Sequence, residues 1–169
     1  KALNFVFLIA SPMMIYFMLF AKQGIYFLSG DAFGPAVVPM QLIMPTLLLI
    51  GITNILGIQI LVPLGYEKAV LVSEIVGAVI DLVVNALLIP QYQSSGAAIG
   101  TLLAEFAVMV VQCIALKDEI KTDFSDIKFL KIILAIILAS LASFWVTALN
   151  LHVFITLVIS AMLFFGVYG

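Results

Sequence analysis

Two stripes of polar side chains interrupt the apolar sequence between residues 67 and 116. The first stripe consists of Glu74, Asp81 and Asn85, and the second consists of Thr101, Glu105 and Gln112. Separations of seven and four residues place each set on one face of a helix. Carboxylates in such a setting bind protons or cations and can serve as general acids or bases.

Asp81 and Glu105 are predicted to lie at the same depth in the membrane. Asp81 is nine residues before Pro90 and Glu105 is nine after Gly96, so both fall roughly 13 Å below the intervening turn. If they share a face, the pair forms a proton-binding site. Alternatively, each carboxylate hydrogen-bonds a neighbouring Ser, Thr or Asn, or one of them reaches the interface. Glu74 lies about 10 Å from the opposite membrane face. A strong alternative to an ion-binding role is that its side chain extends to that face and places the carboxylate in water. We interpret Glu74, Asp81 and Glu105 as candidate ion-coupling residues.

Further polar residues are candidates for contact with a substrate. Lys22 lies within the first apolar stretch and suits a phosphate-bearing substrate as a point charge. The alternative is a lysine that snorkels to the outer interface. Thr53, Asn54 and Gln59 are candidates either to line the same cavity or to hydrogen-bond between packed helices. We interpret Lys22, Asn54 and Asn85 as candidate substrate-binding residues.

The sequence contains no constellation typical of an enzyme or a metal centre. Patterns of the GxSxG, HExxH and Walker A types are absent. The one cysteine, Cys113, is read as a small residue facing lipid or a helix, and the one histidine, His152, as a solvated turn residue. A membrane enzyme built on two carboxylates would still need a nucleophile or a metal. We therefore expect a protein that is not an enzyme and has no cofactor beyond a coupling proton or sodium ion.

The composition indicates that membrane helices carry these residues. Of 169 residues, 65% are hydrophobic and 9% are charged, whereas soluble domains have about 25% charged residues. This balance excludes an ordinary cytosolic enzyme. A net charge of −2 with no arginine supplies no basic patch for nucleic acid. We expect an all-α, polytopic transmembrane protein that contacts membrane lipids and binds no nucleic acid.

Six predicted spans form a single six-helix lobe over residues 1–169. A spanning helix needs about 20 apolar residues, and turn-forming residues mark boundaries near positions 32, 65 and 93. The long polar linker is residues 117–129, and Asn150 begins the break in the last apolar run. Pro12 and Pro45 are expected to kink their spans. The predicted spans are residues 2–28, 36–63, 67–90, 96–116, 130–149 and 151–169.

The lysines predict the orientation of these spans. Six lysines share one side of the membrane: Lys1, Lys68, Lys117, Lys121, Lys128 and Lys131. The turns of the opposite side hold none, and Lys22 lies within the first span. By the positive-inside rule, the lysine-rich side is cytoplasmic, and it includes the N-terminus of this segment.

Several motifs resemble those of one transporter family. The matching segments are residues 77–90 (GAVIDLVVNALLIP), residues 96–101 (GAAIGT) with Glu105, residues 54–65 (NILGIQILVPLG), residues 28–33 (LSGDAF), and Pro12. Over about residues 1–116 the chain resembles the bacterial polysaccharide repeat-unit (oligosaccharide) flippases of the multidrug/oligosaccharidyl-lipid/polysaccharide transporter superfamily. The last two spans match that family only in hydropathy.

The resemblance implies a transporter of the bacterial cytoplasmic membrane with two six-helix lobes, of which this chain is the C-terminal one. Such a transporter flips a lipid-linked oligosaccharide to the outer leaflet for surface polysaccharide biosynthesis. Its partners are that substrate and the other lobe. Under this interpretation Lys22 contacts the pyrophosphate and the acidic residues couple the cycle to protons or sodium.

The chain departs from the family pattern in two places. Asp81 stands where a neutral amide is expected, which favours a coupling ion, and residues 93–95 (QSS) replace a more usual glycine-bearing turn. Two other functions stay open. One is a cation-coupled multidrug antiporter of the same superfamily, and the other is a non-transporting membrane scaffold.

Overall fold

A computed structural model of the chain describes residues 2–117, 129–149 and 152–169, and every element in those residues is helical. The all-α prediction is confirmed for this part of the chain. The α-helices are α1 (Ala2–Leu19), α2 (Ala21–Ser29), α3 (Val37–Ile43), α4 (Thr46–Asn54), α5 (Glu67–Tyr92), α6 (Ser94–Leu116), α7 (Phe129–Phe144) and α8 (Val153–Tyr168). Two 3₁₀ helices occupy Asp31–Ala36 and Trp145–Leu149, and a π-helix occupies Ile55–Leu61. Most of the predicted linker, Asn150, and the lysines Lys1, Lys121 and Lys128 lie outside the described residues.

Four helical stretches are long and apolar enough to cross a membrane. They are Ala2–Leu19, Asp31–Leu61, Glu67–Tyr92 and Ser94–Leu116, and each overlaps one of the first four predicted spans. Shorter apolar helices occupy Lys131–Thr147 and Val153–Tyr168. A helix of about 16 residues reaches only about 24 Å, short of the roughly 30 Å hydrocarbon core. Helix length therefore establishes four candidate spans and not the predicted six.

The first two predicted spans are each interrupted. α1 ends before Phe20, whose backbone (φ −103°, ψ 20°) departs from the α-helical values, whereas Pro12 lies buried within α1. The chain therefore breaks eight residues beyond the proline that was expected to kink it. Pro45 does separate α3 from α4, as predicted, because proline cannot donate a backbone hydrogen bond. The Thr46 hydroxyl donates to the Ile43 carbonyl at 2.6 Å beside this break.

The turn between α5 and α6 is shorter than predicted. The predicted spans leave residues 91–95 between them, yet Gln93 is the one residue between the two helices. Its backbone adopts φ 49° and ψ −126°, and its N–H donates to the Ile89 carbonyl at 2.8 Å. This tight reversal brings α5 and α6 together as an antiparallel hairpin over most of their length.

Two clusters of buried apolar side chains attach the helical hairpins to the first half of the chain. One joins α1 to α7 and α8 through Tyr16, Phe20, Ala139 and Phe164. The other joins the π-helix to α6 through Leu56, Leu61 and Leu116. The Tyr16 hydroxyl also donates to the Leu157 carbonyl at 3.0 Å and lies 3.2 Å from the Ser160 hydroxyl. α1 and the π-helix therefore each support one hairpin.

The helix ends alternate between the two ends of this bundle. Three groups of residues lie at the same end. Leu116 packs with Leu61 and Val70. Asn54 and Ala2 line one cavity, and Lys131, Asn4 and Tyr168 line another. That end therefore holds the starts of α1, α5 and α7 and the last residues of the π-helix, α6 and α8. Of the described lysines, Lys68, Lys117 and Lys131 lie there, and Lys22 lies on α2, beyond the far end of α1.

Candidate functional site

Glycine residues allow α5 and α6 to approach so closely that the backbone of one helix contacts the backbone or a side chain of the other. A Cβ atom at Gly96 would lie 2.6 Å from both the carbonyl carbon and the carbonyl oxygen of Leu88. One at Gly77 would lie 2.5 Å from Val108 Cγ2 and 3.4 Å from the Ala104 carbonyl oxygen. Non-bonded carbon atoms prefer separations of about 3.5–4.0 Å. The hairpin therefore depends on residues without a Cβ, as small-xxx-small contacts between membrane helices do.

The contact face between α5 and α6 opens into an acidic cleft, which gathers polar residues of both helices. Glu74 and Asp81 line it from α5, and Thr101 and Glu105 line it from α6. Its volume is about 250 Å³, and its apolar walls are Gly77, Ala78, Ala104 and Val108. Glu74 is exposed, whereas Asp81 and Glu105 are half-buried. The three predicted ion-coupling residues thus lie around one cleft at the surface of the chain.

The hairpin geometry explains why Asp81 and Glu105 meet. Asp81 is 12 residues before Gln93 and Glu105 is 12 residues after it. With a one-residue turn, equal separations along antiparallel helices give equal depths, about 18 Å from the turn. The predicted equality of depth holds, and the shared cleft adds that both residues reach the same face of the hairpin.

Asp81 is held by a neighbour on its own helix. Asn85 Nδ2 donates to Asp81 Oδ2 at 3.0 Å, one turn along α5. The other oxygens of this pair, Asp81 Oδ1 and Asn85 Oδ1, are buried and have no hydrogen-bond partner among the described residues. Asn85 Oδ1 occupies the space that a Cβ at Gly100 would need. The bare backbone of Gly100 therefore makes room for the pair.

Glu74 and Glu105, which line the same cleft, are like charges that repel each other, and the apolar walls offer little compensation. Neutralising one of the two carboxylates relieves this repulsion. Within the described ranges, no group of three His, Cys, Asp or Glu side chains is arranged to hold a metal ion. What the described residues show is three acidic side chains and the Thr101 hydroxyl around one cleft.

The predicted substrate-binding residues lie in three different places. Lys22 is exposed on α2, with its Nζ atom 5.5 Å from the centre of the Tyr26 ring. Asn54 lines a separate cavity of about 590 Å³ between α1 and α4, together with Gln59. Asn85 is bonded to Asp81 beside the acidic cleft. Within this chain the three residues do not form one site.

Gln112 belongs to a buried polar contact that sequence patterning did not find. It is 1% exposed, and its Nε2 atom donates to the Ser73 hydroxyl at 3.3 Å. Its Nε2 atom also stands 3.0 Å from where a Cβ at Gly57 would lie, in the π-helix. The spacing of seven residues grouped Gln112 with Glu105 on one face of α6. The two residues are two helical turns apart, and the π-helix covers Gln112. Gly57 was the available signal, since a glycine facing a buried amide marks a close approach.

His152 and Cys113 remain outside this site. His152 is exposed and precedes α8, where its carbonyl accepts the Thr156 N–H at 2.9 Å. Cys113 is exposed on α6.

No protein-family model, curated protein or solved structure matches the chain. The acidic cleft and the apolar helices are therefore the observations from which a function can be argued.

Proposed function

We propose that this chain is one six-span lobe of a transporter that flips a lipid-linked oligosaccharide across the bacterial cytoplasmic membrane. The observation that carries the proposal is the acidic cleft, in which Glu74, Asp81 and Glu105 meet on apolar helices. An ionisable residue within a membrane span is expensive, and such residues mark ion or substrate pathways. The family resemblance in residues 1–116 supplies the substrate class.

The exposure of the helices supports a second lobe against the cleft. The outer face of α5 exposes Leu71, Val79 and Leu82 by 61%, 54% and 71%, as expected of lipid-facing residues. Glu74 is also exposed, and a carboxylate does not face hydrocarbon without a partner or water. The face that carries the cleft is therefore proposed to border the central cavity between two lobes.

The fifth and sixth spans of the proposal use the shorter helices. The helical stretch from α7 through its 3₁₀ extension reaches residue 149, which adds about 10 Å to α7. α8 returns to the end at which α1 begins, because Tyr168 shares a cavity with Asn4. In this arrangement the end that holds Lys68, Lys117 and Lys131 is cytoplasmic, following the positive-inside rule.

The proposed mechanism is alternating exposure of a polar cavity. Two lobes rock against each other, as in transporters built from repeats, while the sugar and pyrophosphate cross in the cavity and the lipid tail stays in the bilayer. Protonation or sodium binding at Asp81 and Glu105 removes the repulsion within the cleft and so favours one of the two arrangements. Lys22 and Asn54 are proposed to contact the substrate from their separate positions.

The test is genetic, in the bacterium that carries the full-length protein. Asp81→Asn combined with Glu105→Gln should abolish surface polysaccharide while the protein stays in the membrane at normal abundance. The matched control is Asp31→Asn combined with Glu67→Gln, which makes the same chemical changes at exposed positions outside the cleft. Unchanged polysaccharide in the cleft variant would refute the coupling role.

The acidity of the cleft specifically favours one second candidate, a cation-coupled drug antiporter. The described residues lining the cleft include three acids and no lysine, which suits an organic cation. Deletion of the gene discriminates between the candidates. Loss of surface polysaccharide with unchanged drug tolerance supports the flippase, and the reverse result supports the antiporter. A membrane scaffold predicts that substitutions at lipid-facing positions, rather than in the cleft, remove the phenotype.

A further inference from the structure

A second cleft lies at the lysine-rich end of the bundle, between the first turns of α1 and α7 and the last turn of α8. Its volume is about 560 Å³, within the usual range of ligand sites. Seven described residues line it: Asn4, Phe5, Leu8, Lys131, Ile132, Ala135 and Tyr168. It is separate from the acidic cleft, with which it shares no residue.

Polarity in this cleft changes along the helix axis. Asn4 and Lys131 lie in the first turns of their helices, at the rim. Leu8 and Ala135 follow each of them by four residues, about 6 Å deeper along the helix. A site with a polar rim and an apolar interior fits an amphiphile whose tail enters and whose head stays at the membrane surface.

The walls leave the cleft open to the side. Phe5 is 64% exposed and Leu8 is 49% exposed. The Tyr168 hydroxyl donates to the Leu8 carbonyl at 2.8 Å, so α8 is fastened to α1 and forms a fixed wall. The open side is apolar, and an acyl chain of the surrounding bilayer can enter it without leaving hydrocarbon.

The charge of the rim selects the head group. Lys131 is exposed and is the one ionised side chain among the described residues that line the cleft. The chain as a whole has a net charge of −2, whereas the described residues that line the cleft carry one positive charge. Basic pockets between membrane helices bind anionic lipid head groups.

We propose that this cleft binds an anionic phospholipid of the surrounding membrane, with its acyl chain between α1 and α7 and its phosphate at Lys131. A lysine at the membrane surface is worth about a fivefold preference for an anionic over a zwitterionic lipid. The proposal depends on the chain lying in a membrane and not on what it transports.

The test measures lipid retention by native mass spectrometry after purification from mixed phosphatidylglycerol and phosphatidylcholine vesicles. The unmodified protein should retain phosphatidylglycerol about fivefold over phosphatidylcholine. Lys131→Gln should retain both lipids equally. Lys117→Gln is the matched control, because it removes an exposed lysine at the same end but outside the cleft, and it should keep the preference.

A second variant separates the cleft from a general attraction of lipid to lysine. Ala135→Phe fills the interior and should reduce retention of both lipids, while thermal unfolding shows that the bundle remains folded. An unchanged preference in Lys131→Gln, or full retention in Ala135→Phe, would overturn the proposal. Because the readout is bound lipid, failure here leaves the transport hypothesis standing, and failure of transport leaves this result unaffected.

Discussion

Replacing Gly96 with alanine tests the approach of the two backbones at the tip of the α5–α6 hairpin. The added Cβ would lie 2.6 Å from the carbonyl carbon and oxygen of Leu88 and 2.9 Å from the nitrogen of Ile89. All three are backbone atoms, so a side-chain rotation cannot relieve the overlap. Carbon atoms prefer at least about 3.5 Å, and the tip of the α5–α6 hairpin must therefore open by nearly 1 Å.

The expected loss follows from two opposing effects. Overpacking a tight contact destabilises by about 1–3 kcal/mol. Alanine within a helix is more favourable than glycine by about 0.5–1 kcal/mol. The net destabilisation of Gly96→Ala is therefore about 0–2.5 kcal/mol, with a midpoint of about 1 kcal/mol. For a chain of 169 residues, the midpoint corresponds to a Tm lowered by roughly 2–4 °C.

Gly166→Ala supplies the matched control. Gly166 is also helical, but a Cβ there would have no neighbour within 4 Å. The same substitution should stabilise α8 by about 0.5–1 kcal/mol and raise Tm by roughly 1–3 °C. Thermal unfolding of both variants in one detergent gives the comparison. If Gly96→Ala is as stable as Gly166→Ala, the close approach of α5 and α6 is refuted.

Substitutions at three further residues test other contacts by the same unfolding measurement. Gln93→Gly should stabilise by about 1 kcal/mol, because glycine adopts φ 49° without the strain of a side chain; a destabilised variant would contradict the one-residue turn. Gln112→Ala should destabilise by about 2–4 kcal/mol by leaving a cavity, whereas Gln112→Met should be nearly neutral, since it fills the space and removes an amide oxygen without a partner. If both variants are equally unstable, the hydrogen bond to Ser73 matters more than packing. Tyr16→Phe should destabilise by about 1 kcal/mol by removing the hydroxyl that joins α1 to α8, and no change would show that this bond contributes nothing measurable.

Much of the helical framework could be predicted from sequence, because apolar runs and their interruptions are local features. The first four predicted spans fall on helices that are long and apolar enough to cross a membrane, and the break at Pro45 follows from a missing backbone donor. The break at Phe20 could not be predicted in this way, since its residue type favours no turn. The predicted span of residues 130–149 covers both α7 and the 3₁₀ helix that follows it, because hydropathy does not show that the chain leaves the α-helix at Trp145.

The candidate site was predictable only in part. Helical spacing grouped the polar residues of each helix, and the equal distances of Asp81 and Glu105 from the turn predicted their shared depth. Periodicity also grouped Gln112 with Glu105, although the structure buries Gln112 under the π-helix. A stripe defines a face of one helix, whereas the neighbour that covers each turn of that face depends on the rest of the chain.

The sequence by itself determined that the protein is helical and apolar, and which residues share a face of each helix. Those properties follow from the repeat of a single helix and from the scarcity of charge. The tertiary structure alone decided that the acidic residues of α5 and α6 face one cleft and that Lys22 and Asn54 lie elsewhere. The physical reason is that helices rotate about their axes until their closest contacts fit. In this chain those contacts are made where Gly77, Gly96 and Gly100 let the two backbones approach.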